Sequence, residues 1–277
     1  MKKILLGLLS LLLVAGVFVG CNVTKDENSD LGTIERIKEK GVIKIGVFSD
    51  KPPFGYVDEK GESQGFDVEI GKRFAKDLLG DESKVEFVLV EAANRVEYLQ
   101  SNKVDIILAN FTVTDERKEK VDFANPYMKV ALGVVSPDGS PIKSVDELKG
   151  KTLIVNKGTT AETYFAKNYP DINLLKYEQN TEAFEALKDG RGAALAHDNT
   201  LLFAWAREND GFSVGINSLG NQDYIAPAVK KGDTELLNWI NDELAKLGKE
   251  GAIRDDYNKT LLPAYGDTVK PEDIIVE

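Results

Sequence analysis

In the stretch Asn110-Phe111-Thr112-Val113-Thr114-Asp115-Glu116-Arg117, an apolar strand gives way to a charged helix within a few residues. Val104–Ala109 just before it is an apolar run of strand length. Thr114 is placed to cap a short helix, with Asp115 and Glu116 in its first turn, where carboxylates meet the positive end of the helix dipole. Arg117 then lies one turn in, close to the tip of the strand. In an open α/β sheet, that edge is where ligands bind. The planar fork of Arg117 matches a carboxylate, and Thr112 adds a hydroxyl and a backbone N–H. A surface ion pair with neighbouring acids explains Arg117 equally well from these residues alone.

Upstream, Leu31–Lys40 reads as a helix stopped by Gly41, and Val42–Phe48 as a strand. Ser49–Tyr56 is a loop rich in proline and aromatics, and Asp58–Gly65 is turn-rich. Asp67–Leu79 is a helix with Ile70, Phe74 and Leu78 on one face. Val85–Val90 is a strand, Arg95–Gln100 a short helix, and Val104–Ala109 the third strand. The βαβαβ order predicts a mostly parallel sheet with right-handed crossovers.

Downstream the pattern begins again. Val130–Ser136 is an apolar strand, and Ser144 with Glu147 forms a capping box. Thr152–Val155 is a strand followed by Gly158-Thr159-Thr160, where Thr159 and Glu162 form a second box opening a helix over Thr160–Asn168. Asn173–Tyr177 is a strand, Thr181–Lys188 a helix and Ala193–Ala196 a small buried strand. Asp198 caps a helix over Asn199–Arg207. Tyr224–Val229 is a further strand and Asp233–Leu247 a helix. The chain is therefore α/β, with two units in series and late material able to rejoin the first.

The amino terminus reads differently. Met1-Lys2-Lys3 is a positive region, Ile4–Val19 an apolar one, and Gly20-Cys21 follows, so residues 1–20 read as a secretory signal peptide. Phe18-Val19-Gly20-Cys21 is similar to the lipobox of bacterial lipoproteins, with an unusual Phe at its first position. Cys21 is the only cysteine, so no internal disulfide exists, and lipidation accounts for an otherwise unprotected thiol in an exported chain. Residues 21–30 then read as a lipidated, polar tether. Loss of Lys2 and Lys3 makes the chain two charges more acidic than its formal −11. That balance argues against nucleic acid as a partner.

Enzyme chemistry is poorly supplied. The one histidine, His197, reads as packed or bonded beside a binding loop, and with Cys21 taken by lipidation there is no free cysteine for a zinc set or a Cys–His pair. No nucleophile elbow, P-loop or dinucleotide fingerprint is present, and no metal or cofactor is expected. Binding is better supplied. Arg117 offers a cation, Asp198 an anion, and Gly158-Thr159-Thr160 a helix start rich in N–H donors. An α-amino acid, with its carboxylate and ammonium about one carbon apart, satisfies all three.

Gln64-Gly65-Phe66-Asp67-Val68-Glu69-Ile70, Thr112–Arg117, Val121-Asp122-Phe123 with Pro126-Tyr127, and Asp146–Lys151 with Gly158-Thr159-Thr160 together resemble the polar amino-acid family of bacterial solute-binding proteins, solute-binding family 3. The resemblance covers roughly 31–262. It implies a periplasmic-binding-protein-like fold: two α/β lobes joined by two crossing strands, with the ligand in the interlobe cleft. Lobe one is expected over 31–132 and 229–277, and lobe two over 133–228. By the same resemblance Arg117 clamps the ligand's carboxylate with Thr112 and Thr160, Asp198 takes its ammonium, and Asn110 lies beside Asp198 and contributes polar contacts. Thr159 belongs to the same helix start, and Phe54 and Phe111 are expected to wall the pocket.

The implied protein is not an enzyme but an extracytoplasmic lipoprotein, membrane-anchored through Cys21. It delivers an amino acid to the membrane subunits of an ABC importer and acts as a monomer. Glu91–Leu99 and Ala109–Thr114 are most similar to the cysteine-binding lipoproteins of the family, which makes L-cysteine the first ligand. Aspartate or glutamate is the second, because receptors for those also carry an arginine at the place matching Arg95, and Lys51 adds charge there. For cysteine, Arg95 is expected to turn away or pair with Glu91 or Glu97. A dehydratase-like enzyme on the same fold is the reading from another class.

Overall fold

The structure, a computed structural model, describes residues 32–277. The leader, the tether, Cys21 and Leu31 lie outside the described residues. Ten strands form two five-stranded sheets. The first contains β1 (Ile43–Val47), β5 (Val85–Leu89), β6 (Ile106–Ile107), β7 (Val121–Phe123) and β13 (Ala228–Lys230), in the order β5-β1-β6-β13-β7. The second contains β8 (Met128–Pro137), β9 (Thr152–Asn156), β10 (Asn173–Tyr177), β11 (Ala194–Asp198) and β12 (Phe212–Ile225), in the order β10-β9-β11-β8-β12. A small ribbon of β2 (Asp50–Lys51), β3 (Gly55–Val57) and β4 (Ser63–Gln64) stands apart from both.

In each sheet the three strands from the βαβ units are parallel and the two remaining pairings are antiparallel. The chain leaves the first sheet after β7 and enters the second on β8. It returns on β12 to β13, and β8 and β12 pair with each other along the way. The protein thus has two lobes joined by two crossing strands.

Side-chain alternation divides the core. In β6, Ile106 faces the large core shared with Ile45, Phe74 and Leu236, while Ile107 faces a smaller one with Leu99, Phe111 and Ala228. In β9, Leu153 and Val155 pack under Phe165, and Ile154 faces the opposite side. Each such fully buried aliphatic contributes about 1.5–3 kcal/mol.

Helices α2 (Phe66–Leu79), α3 (Arg95–Gln100), α5 (Thr160–Asn168), α6 (Asn180–Lys188) and α7 (Asn199–Glu208) lie within a residue of their expected bounds. Three local expectations are corrected. Ser144 does not open a capped helix: Val145–Leu148 is a single 3-10 turn, and Glu147 is turned to the Lys143 N–H. Glu162 reaches the Gly158 N–H rather than that of Thr159, so the second box is only half formed. The return strand begins at Phe212, not Tyr224, because its polar middle and three register shifts hide the alternation.

Candidate functional site

The carboxyl ends of β1, β6, β9 and β11 converge where the lobes meet. Thr114 caps the short α4 (Asp115–Lys118) as expected, accepting the Arg117 N–H at 3.2 Å. From there the Arg117 guanidinium donates to the Thr112 carbonyl at 2.7 Å and, across the cleft, to the Gly158 carbonyl at 2.9 Å. Arg95 is buried beside it. It donates to the carbonyls of Ala92, Ala109 and Asn110 and, across the cleft, to that of Gly158. The two guanidinium carbons lie 4.2 and 4.7 Å from the centre of the Phe111 ring. Neither arginine pairs with a carboxylate among the described residues.

Arg95 therefore departs from the expectation stated for a cysteine ligand. It is neither turned away nor held by Glu91 or Glu97, because four carbonyls brought together by the fold outcompete two solvated acids. Burial first, then the neighbouring Arg117, presses its pKa well below the usual range. Burial likewise brings Arg117 down to about 10, against the pull of Asp198. Two like charges in a dry cleft are costly unless an anion joins them.

The opposite wall carries that balance of sign. Asp198 ends β11 and is buried. It occupies the N-cap position of α7 but accepts no helix N–H, contrary to expectation. Its Oδ2 takes the Lys51 ammonium at 2.9 Å instead, and Lys51 also donates to Asn110 Oδ1 at 2.7 Å. Burial works to raise the Asp198 carboxyl, but the Lys51 ammonium overcomes this and holds it below the ordinary carboxylate range. Oδ1 accepts from no described residue. Lys51, expected to add charge for an acidic ligand, is thus neutralised by Asp198 from across the cleft.

Asn110 has a left-handed backbone, φ 44°, which aims its groups into this junction. Its N–H is held by Asp67 Oδ2 at 2.8 Å, while its own Nδ2 is buried with no partner. Asp67 also accepts the Tyr127 hydroxyl at 2.6 Å. Burial raises the Asp67 carboxyl to about 7, with the Tyr127 bond opposing. A carboxyl raised from 3.8 favours folding while protonated, so its contribution falls as pH climbs toward 7. Asp67→Asn should flatten this part of the stability profile, seen as a smaller loss of urea midpoint between pH 4.5 and 7.5 than in the wild type.

Thr160 opens α5 toward the cleft, and the first N–H groups of that helix have no intrahelical partner. The Thr159 hydroxyl is committed to its own loop, donating to the Asn156 carbonyl at 2.7 Å and accepting the Glu162 N–H. Phe54 is fully buried in the large core behind Lys51, with its ring centre 5.9 Å from Lys51 Nζ, and does not line the enclosed space itself. Phe48 takes the place expected of it, with Lys51 Nζ and the Arg95 guanidinium 5.3 and 5.6 Å from its ring centre. Reasoning from sequence missed Phe48, although it directly follows a strand. His197 lines the site as well. Its Nδ1 accepts the Asp198 N–H, and burial lowers its pKa, so it is a neutral donor through Nε2. The free volume enclosed by these residues is about 10 Å³, with a wider space of about 540 Å³ outside Arg117.

The pattern of bacterial extracellular solute-binding proteins, family 3, matches residues 43–262. The chain belongs to that family. Its members are extracytoplasmic amino-acid receptors, and the ABC importer context comes with them. The glutamine-binding protein GlnH of an ABC transporter of Bacillus subtilis is 38% identical over 94% of this chain and 98% of its own. The solute receptor for L-cysteine of Neisseria gonorrhoeae is 64% identical, with a TM-score of 0.88 over 89% of this chain and all of its own. The cysteine-binding protein of Campylobacter jejuni is 61% identical, with the same TM-score and coverage. No described helix is long and apolar enough to cross a membrane.

Proposed function

We propose that this receptor binds L-cysteine by lobe closure and delivers it to its importer from a lipid anchor at Cys21. The observation that carries the amino-acid reading is the pair of guanidiniums without a carboxylate, set opposite a carboxylate with one oxygen unused. Of the five N–H donors of a guanidinium, Arg95 uses four on carbonyls and Arg117 two. Arg117 with Thr112 and Thr160 then holds the α-carboxylate, and Asp198 Oδ1 and Asn110 receive the rest of the backbone. Lobe one is taken as 31–132 with 229–277, and lobe two as 133–228.

Little donor capacity is left for a second carboxylate, which favours a small neutral side chain over aspartate or glutamate. The 64% and 61% identical cysteine-binding proteins point the same way. Gentle purification followed by mass spectrometry tests this: cysteine recovered unchanged supports a receptor. A chemically altered ligand would favour an enzyme, for which Asp223 in the outer cleft is an acid with no bonded partner among the described residues.

Cys21→Ser should release the protein from the membrane fraction without changing affinity, since anchor and cleft are independent. A mutant that still sediments with membranes would mean that something other than lipid holds it there.

A further inference from the structure

Asp50 and Lys51 are neighbours on β2, yet both reach across to the second lobe. Lys51 goes to Asp198 inside the cleft. Asp50, half-buried outside it, goes to the start of α6. Its Oδ2 accepts the N–H groups of Asn180 at 2.6 Å and Thr181 at 3.3 Å, and its Oδ1 accepts the Asn180 side-chain amide at 3.0 Å. The residue at the N-cap position of α6, Gln179, supplies no side-chain cap of its own. Helix α6 is therefore capped by a carboxylate from the other lobe.

Such a cap exists only while the lobes are together. An aspartate cap satisfies N–H groups that are otherwise orphaned and meets the positive end of the helix dipole. The contact is also tied to the cleft. The Gln179 carbonyl at the same helix start accepts the Asn156 side-chain amide at 2.8 Å, and the Asn156 carbonyl accepts the Thr159 hydroxyl. Asn156 thus joins the capped helix to the loop whose Gly158 carbonyl receives Arg95 and Arg117. None of the Asp50 bonds faces the space between Arg117 and Asp198.

We propose that Asp50 is a closure latch: a positioning residue that sets affinity from outside the pocket by favouring the closed arrangement, without choosing the ligand. This rests on the receptor reading above. A contact present only in the closed state multiplies affinity for every ligand by one factor, and breaking it speeds release more than it slows capture.

The test compares wild type, Asp50→Ala and Asp50→Asn. Titration calorimetry and stopped-flow fluorescence use cysteine, glutamine, arginine, aspartate and glutamate, and amide hydrogen exchange is followed at Asn180 and Thr181. Asp50→Ala should weaken each amino acid that binds by a common factor of about five to twenty, the scale of a lost cap at ~1.4 kcal/mol per decade. The loss should lie in the release rate, with faster exchange at both amides, and Asp50→Asn should recover part of it. Unchanged affinity, or a changed order among the amino acids, would overturn the latch. Should the wild type bind none of them, the receptor reading fails by itself. The latch is then decided by exchange alone: faster exchange at Asn180 and Thr181 in Asp50→Ala supports it, and equal exchange refutes it.

Discussion

Arg117→Ala is expected to weaken amino-acid binding by about two to four decades while leaving the protein folded. The arginine has three N–H donors beyond those given to Thr112 and Gly158, enough for a bidentate carboxylate. Hydrogen bonds to charged groups are worth ~1.5–3 kcal/mol each, and ~1.4 kcal/mol is a decade of affinity. The fold should survive because α4 is a short surface helix capped by Thr114, and Arg117 belongs to no core cluster. Calorimetric titration and a thermal melt read both outcomes. A folded mutant that still binds tightly would remove Arg117 from the clamp.

Gly158→Ala should have the next largest effect, for a steric reason. A Cβ on Gly158 would lie 2.5 Å from Ala93 Cα and 2.6 Å from Ala93 N, backbone atoms of the opposite lobe. Carbon contacts need ~3.5 Å, so the lobes would be propped apart by roughly 1 Å. The φ of 72° adds strain of ~1–3 kcal/mol. Closure opposed by ~2–3 kcal/mol lowers affinity by about one to two decades. Gly190→Ala is the control, since Gly190 has the same φ but nothing within 4 Å of its added Cβ. It should lose stability and keep affinity. Equal affinity losses in the two variants would mean that backbone strain, and not the propped cleft, is responsible.

That Arg117, Thr112, Asn110 and Asp198 would meet at one junction was legible because each stands where an apolar run ends, and the polar residue after such a run marks a strand's carboxyl edge. The partners of those residues were not legible. Lys51 and Asp198 are 147 positions apart, so only the fold shows that Asp198 meets an ammonium and leaves its helix uncapped. Local sequence offered Arg95 two glutamates, whereas its actual acceptors are carbonyls from four separate positions, one of them across the cleft. Phe48 and Phe54 differ by six positions and share a composition. The chain reversal between them puts the two rings in different core clusters on either side of Lys51, and only Phe48 lines the enclosed space. The return strand is polar along its middle and shifts register three times, so period-two alternation reports only its last turn onto β13.

The central claim is that the junction of Arg117 and Asp198 receives a small amino acid, with cysteine first. The measurement that tests it most directly is calorimetric titration of the purified protein, freed of retained ligand, with L-cysteine under reducing conditions, beside glutamine, arginine, aspartate and glutamate. The account predicts one site per chain, tightest for cysteine and weaker for the two acids, with binding lost in Arg117→Ala. Tight binding of an acidic amino acid with cysteine weak or absent would contradict the ligand assignment, and tight cysteine binding that survives Arg117→Ala would contradict the site.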